Sequence, residues 1–109
     1  MSKTFYCSNN KLTSLKYCPS KVGKSFYCSE NKLTSLKYCP RYIGDWFHFY
    51  GNKIKTLDYF PEYVGDYSNG NKNSGNFTPK DYEKALKLSR LNNKKRKIQK
   101  IQKIKKLKL

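Results

Sequence analysis

A 21-residue repeat constrains this chain more than any other feature. Phe5-Tyr6-Cys7-Ser8-Asn9-Asn10-Lys11-Leu12 returns as Phe26-Tyr27-Cys28-Ser29-Glu30-Asn31-Lys32-Leu33, and 15 of the 21 positions in 5–25 are identical in 26–46. A third unit, 47–67, keeps Phe47, Asn52, Lys53, Leu57, Tyr59, Pro61 and Gly65. A fourth, 68–78, holds Asn73 in phase but loses the apolar positions. One such unit buries little apolar surface by itself, so the sequence demands that neighbours stack into a shared core.

The columns of the repeat show how. Phe5/Phe26/Phe47 and Cys7/Cys28/Phe49 stand two residues apart, the spacing of a strand with one face buried. Leu12/Leu33/Ile54, Leu15/Leu36/Leu57, Cys18/Cys39/Phe60 and Val22/Ile43/Val64 complete an inward set. Pro19/Pro40/Pro61 and Gly23/Gly44/Gly65 punctuate the return path, where the chain bends or needs permissive φ. Asn10, Asn31, Asn52 and Asn73 follow the strand as a ladder whose amides offer donor and acceptor to buried backbone.

In these residues the chain resembles the leucine-rich repeat family. Phe26-x-Cys28-x-x-Asn31-x-Leu33 fits L-x-L-x-x-N-x-L with Phe and Cys in two Leu places, and Gly23, beside Val22, takes the first Leu place. The short unit with its Leu-x-x-Cys-Pro turn is similar to Cys- and Tyr-bearing repeats of phage, giant-virus and bacterial proteins. The resemblance covers about residues 1–75. It implies an α/β repeat fold, a short solenoid whose parallel strands line a concave face, with turns or 3₁₀ segments opposite. It further implies a binding or scaffold module that uses the strand face, while an open first edge and a C-terminal tail in need of a partner point to a component of a larger assembly such as a virion or ribonucleoprotein.

Length allows one domain, 1–78, and a C-terminal segment, 79–109. Thr78-Pro79-Lys80-Asp81 reads as a helix start: N-cap, Pro at N1, and an acid facing the positive end of the dipole. Tyr82, Ala85, Leu86 and Ser89 share the face expected to cover the last repeat. The first strand, Phe5–Cys7, follows Met1-Ser2-Lys3-Thr4 directly and is expected to be an open edge.

The net charge is +17, and 79–109 carries 13 basic residues against 2 acidic. That density suits a polyanion: nucleic acid, an acidic protein face or an anionic membrane. The candidate contacts are Lys94, Lys95, Arg96, Lys97, Lys100, Lys103, Lys105, Lys106 and Lys108. Ile98, Ile101, Ile104 and Leu107 recur every three residues, a step of ~300° on an α-helix. Their stripe therefore rotates, which argues against a membrane-surface helix. Like charges at i,i+3 and i,i+4 predict last turns that fray unless a partner orders them. No apolar run approaches the ~20 residues of a bilayer span. No hydrophobic region follows Met1 as in a signal peptide, so an intracellular setting is expected.

Four cysteines, at 7, 18, 28 and 39, fall on repeat places that become Phe49 and Phe60 in the third unit. Buried thiols therefore read ahead of a Cys₄ zinc site or two disulfides. No cofactor or metal is expected. His48, the sole histidine, has no nucleophile or base motif beside it, and Asp45 and Asp66 read as surface charge rather than an acid–base pair. No catalytic residue emerges. The remaining feature is the alternate face of the strands: Tyr6, Tyr27 and His48 in one column, Trp46 and Tyr67 in the next, Tyr50 beyond. Such a ridge serves as a protein anchor, as a platform for stacked bases, or merely as cross-strand packing.

Overall fold

The computed structural model describes residues 3–107. Its elements are β1 (Phe5–Tyr6), β2 (Lys21–Val22), β3 (Phe26–Tyr27), β4 (Tyr42–Ile43), β5 (Trp46–His48), β6 (Tyr63–Val64), β7 (Tyr67–Asn69) and α1 (Pro79–Leu107). The architecture is α/β: two parallel sheets, ordered β1-β3-β5-β7 and β2-β4-β6, and one C-terminal helix. Phe5 lies beside Phe26 and Phe26 beside Phe47, so the 21-residue period of the sequence is the step from strand to strand. β7 continues that register with Ser68 opposite Phe47, although the fourth unit has lost its aromatic there.

Turns or 3₁₀ segments were expected opposite the first sheet; the return path does turn at residues 16–17, 37–38 and 58–59, and it also carries a second parallel sheet that was not expected. Lys21 pairs with Tyr42 and Tyr42 with Tyr63. Its strands are two residues long, too short to show a period of two in the sequence. Stacking creates them, because units in register bring N–H groups of the return path to carbonyls of the unit before. Gly44 N–H, for example, donates to Val22 at 2.9 Å and Gly65 N–H to Ile43 at 3.0 Å.

Between the sheets, Phe26, Cys28, Leu33, Leu36 and Ile43 of the second unit are fully buried. The first unit is less well covered, since β1 has a neighbour on one side only, and Phe5 is 36% exposed. Asn31 links these units through its amide. Its Oδ1 accepts the backbone N–H of Asn10 at 2.8 Å and of Leu12 at 3.0 Å, while Nδ2 donates to Cys7 and Cys28 carbonyls at 3.0 and 2.9 Å. Asn52 repeats the pattern on Asn31 and Leu33, and Asn73 on Ile54. Among the described residues the Asn10 side chain donates only to the Ser8 carbonyl, within its own unit.

The repeated glycines have a different role from the one read in sequence. Gly44 and Gly65 do not need positive φ; a Cβ on Gly44 would overlap the Gly23 carbonyl, and one on Gly65 the Gly44 carbonyl. They are glycines because adjacent backbones approach closely. Left-handed backbone occurs instead in two other columns, Asn9, Glu30, Gly51 and Lys72, and Tyr17, Tyr38 and Tyr59, and at Lys11.

α1 starts with a capping box. Asp81 N–H donates to Thr78 Oγ1 at 3.3 Å, and Asp81 Oδ2 accepts the Thr78 N–H at 2.7 Å and the Thr78 hydroxyl at 3.0 Å, the two bonds that hold the Asp81 carboxyl below its usual pKa. Tyr82 stacks on Phe60 and meets Phe49 edge-on, and its hydroxyl accepts the Gly70 N–H at 2.9 Å. Ala85 and Leu86 pack on the same core. Ser89 Oγ donates to the Phe60 carbonyl at 2.6 Å and Arg90 Nε to that of Glu62 at 2.7 Å. The last turns were expected to fray unless a partner orders them; among the described residues the helix runs to Leu107. Lys, Arg, Gln, Ile and Leu at uninterrupted helical positions sustain it, and exposed lysine side chains can spread into water.

Candidate functional site

The outward face of the four-stranded sheet is built by cross-strand stacking. Tyr6 and Tyr27 lie 5.1 Å apart with 3° between ring planes, and Tyr27 and His48 lie 4.8 Å apart with 4°. Parallel register sets this geometry, because equivalent residues fall side by side on successive strands. Around His48, Trp46 and Tyr50 present edges at 5.6 and 6.4 Å, and Tyr67 is tilted at 6.1 Å. The six residues thus form one continuous patch. Both faces of the Tyr27 ring are covered by its neighbours, so bases cannot enter between the rungs. The patch offers a rigid row of ring edges and hydroxyls, with Trp46 and Tyr67 about half exposed.

Two details of this face escaped the alternation rule. Ser25 and Ser29 lie at outward strand places but are buried, being short residues opposite the bulky Trp46 and Tyr50 of the next unit. Among the described residues the Ser29 hydroxyl has no hydrogen-bond partner, and neither has His48 Nε2. Burial lowers the pKa of His48, so the ring is neutral near pH 7.

The basic segment projects from the other end. Of its proposed contact residues, Lys94, Lys95, Arg96, Lys97, Lys100, Lys103, Lys105 and Lys106 are all exposed on α1; Lys108 lies outside the described residues. Ile98, Ile101 and Ile104 are also about half exposed, so the distal helix presents charge on every side with apolar gaps between. Among the described residues no helix is long and apolar enough to cross a membrane.

A third surface was missed in sequence. Tyr17, Tyr38 and Tyr59 form an exposed column on the turn side, where Lys16 and Lys37 place their ammonium groups 5.4 and 5.3 Å from the Tyr17 and Tyr38 rings. Tyr42 and Tyr63 stack at 4.8 Å on the second sheet, with Lys21 over Tyr42. The signal was present as a repeated Lys-Tyr step, but position alone did not show which way it faced.

No protein-family model, curated protein or solved structure matches this chain. Function therefore has to be argued from its own surfaces.

The cysteines are free thiols. Burial pushes Cys7 and Cys39 up to about 11 and raises Cys28 well above its ordinary value, which keeps the sulfurs protonated and unreactive near neutral pH. Among the described residues no three His, Cys, Asp or Glu side chains converge to hold a metal ion.

Proposed function

We propose that this protein is a non-enzymatic binding and scaffold module: a short leucine-rich-repeat solenoid of units 5–25, 26–46, 47–67 and 68–78, closed at one end by α1. A protein partner docks on the aromatic strand face, with the edge strand β1 as an adjoining contact. The basic C-terminal helix anchors a polyanion, and the protein works inside the cell within a larger assembly of viral or phage type. The observation that carries the docking reading is the ordered patch Tyr6, Tyr27, Trp46, His48, Tyr50 and Tyr67. Its rings are held by one another before any partner arrives, so little side-chain entropy is lost on binding.

Co-purification from the native source tests this reading. A Trp46→Ser/Tyr50→Ser protein with an unchanged circular dichroism spectrum should lose the partner that the parent retains. Equal recovery by both proteins rejects the aromatic face as the interface.

The second reading is association with DNA or RNA through the helix. It is favoured by the absence of any carboxylate side chain after Glu83 and by the exposure of the lysines on α1. Phosphate neutralisation of this kind carries no sequence specificity and weakens steeply with salt.

A further inference from the structure

Where α1 passes the turn side of the second and third units it encloses a groove of about 1060 Å³. Lys37 and Lys55 line it from the repeats, and Lys84, Lys95 and Arg96 from the helix. Two carboxylates reach it, Asp58 and Asp81, and Asp81 is engaged by Thr78. Tyr38 and Tyr59 stand in the repeat wall, 49% and 53% exposed.

Those two rings sit on unusual backbone. Cys39 N–H donates to Leu36 C=O at 3.0 Å and Phe60 N–H to Leu57 C=O at 3.1 Å, closing four-residue turns whose third residue is Tyr38 or Tyr59, at φ 71° and 68°. That place favours Gly or Asn, and a bulky residue there is strained. Tyr59 nevertheless persists in the third unit, where the flanking Lys37 and Cys39 have become Asp58 and Phe60. Arg41 then fixes the corner by donating to the carbonyls of Phe60, at 3.0 Å, and of Tyr59. The fold thus holds two exposed aromatic rings in a costly conformation inside a cationic cleft.

The geometry points to single-stranded nucleic acid as the occupant of this groove. Splayed bases stack on Tyr38 and Tyr59, and Lys37, Lys55, Lys84, Lys95 and Arg96 track the phosphates. A duplex hides the base faces these rings would meet. This assignment rests on the polyanion part of the function proposed above and names both its site and its ligand class.

Fluorescence anisotropy with labelled oligothymidylate and oligouridylate tests it on the full chain. Tyr38→Asn/Tyr59→Asn removes the rings while keeping a residue that accepts left-handed backbone, so the melting temperature should hold or rise. Affinity should fall on the order of tenfold per ring. Lys100→Gln/Lys103→Gln/Lys106→Gln, beyond the groove, separates the two proposals. Undiminished binding by the tyrosine variant overturns the groove; if the lysine variant then binds weakly, the helix alone holds the polyanion. Absence of oligonucleotide binding by the parent chain overturns both nucleic-acid readings. Displacement of the oligonucleotide by polyglutamate as readily as by its unlabelled form overturns the groove in favour of an acidic protein ligand.

Discussion

Asn31 Oδ1 receives the backbone N–H of Asn10 at 2.8 Å, so a side chain of the second unit completes the backbone of the first. The same oxygen holds Leu12 N–H, and the amide nitrogen reaches back to Cys7. Replacing Asn31 with Ala leaves several of these groups without partners, at ~1–3 kcal/mol for each that stays buried. Asn31→Ala should therefore lower stability by roughly 3 kcal/mol. Asn10→Ala, which loses only the bond to Ser8, should lower it by about 1 kcal/mol or less. Urea midpoints measure both, and equal losses would remove the bridging role of the ladder.

Gly44 and Gly51 make a second contrast. At Gly44 an added methyl meets the Gly23 carbonyl of the neighbouring backbone, which cannot yield without parting the units. Gly44→Ala should cost about 3 kcal/mol. At Gly51 the obstacle is the end of the Glu30 side chain, which can swing away, and φ is +71°. Gly51→Ala should cost only about 1 kcal/mol. Thermal unfolding of the two variants would reverse this explanation if Gly51→Ala proved the more damaging.

Tyr82 tests the contact between α1 and the last units. Tyr82→Phe keeps the rings packed against Phe49 and Phe60 but strands the Gly70 N–H, for a loss of ~1 kcal/mol. Tyr82→Ala also opens that part of the core and should cost ~3 kcal/mol. Amide hydrogen exchange should quicken first in the third unit. Exchange unaltered in Tyr82→Ala would show that the helix lends the repeats no stability.

His48 predicts a pH dependence. Its folded pKa is lowered by burial from the ordinary 6.5, so the unfolded chain takes up a proton before the folded one does. The stabilisation is complete above pH 6.5 and is lost as pH falls from there towards the folded value. Asp81 acts in the same sense but below its ordinary 3.8, so the two effects separate along the pH axis. His48→Tyr, which repeats the residue of Tyr6 and Tyr27, should flatten the upper step and leave the lower one. A step just below pH 6.5 that survives H48Y would have another source.

Much of the parallel α/β arrangement was legible because the repeat is written directly into residue types. Phe at 5, 26 and 47 can share a core only if equivalent residues fall side by side, and a helix start is legible in Thr78-Pro79-Lys80-Asp81. The second sheet was not legible, since Lys21–Val22 and its equivalents carry no pattern of their own until stacking aligns them. The reason for the glycine column was misread for the same cause: φ is local, whereas the closeness of Gly23 and Gly44 belongs to two coils at once. At the candidate surfaces, alternation brought Tyr6, Tyr27 and His48 to one face with cross-strand packing among its readings, and the structure shows those rings stacked.

The sequence by itself determined the 21-residue step, the apolar columns and the concentration of positive charge at the C-terminal end, because each depends only on which residues recur and how often. Tertiary structure alone decided which backbone groups the asparagines satisfy, where left-handed tyrosines emerge, and that α1 runs beside them to make a cationic cleft. Those outcomes depend on distances between units far apart along the chain, and such distances exist only once the core has closed.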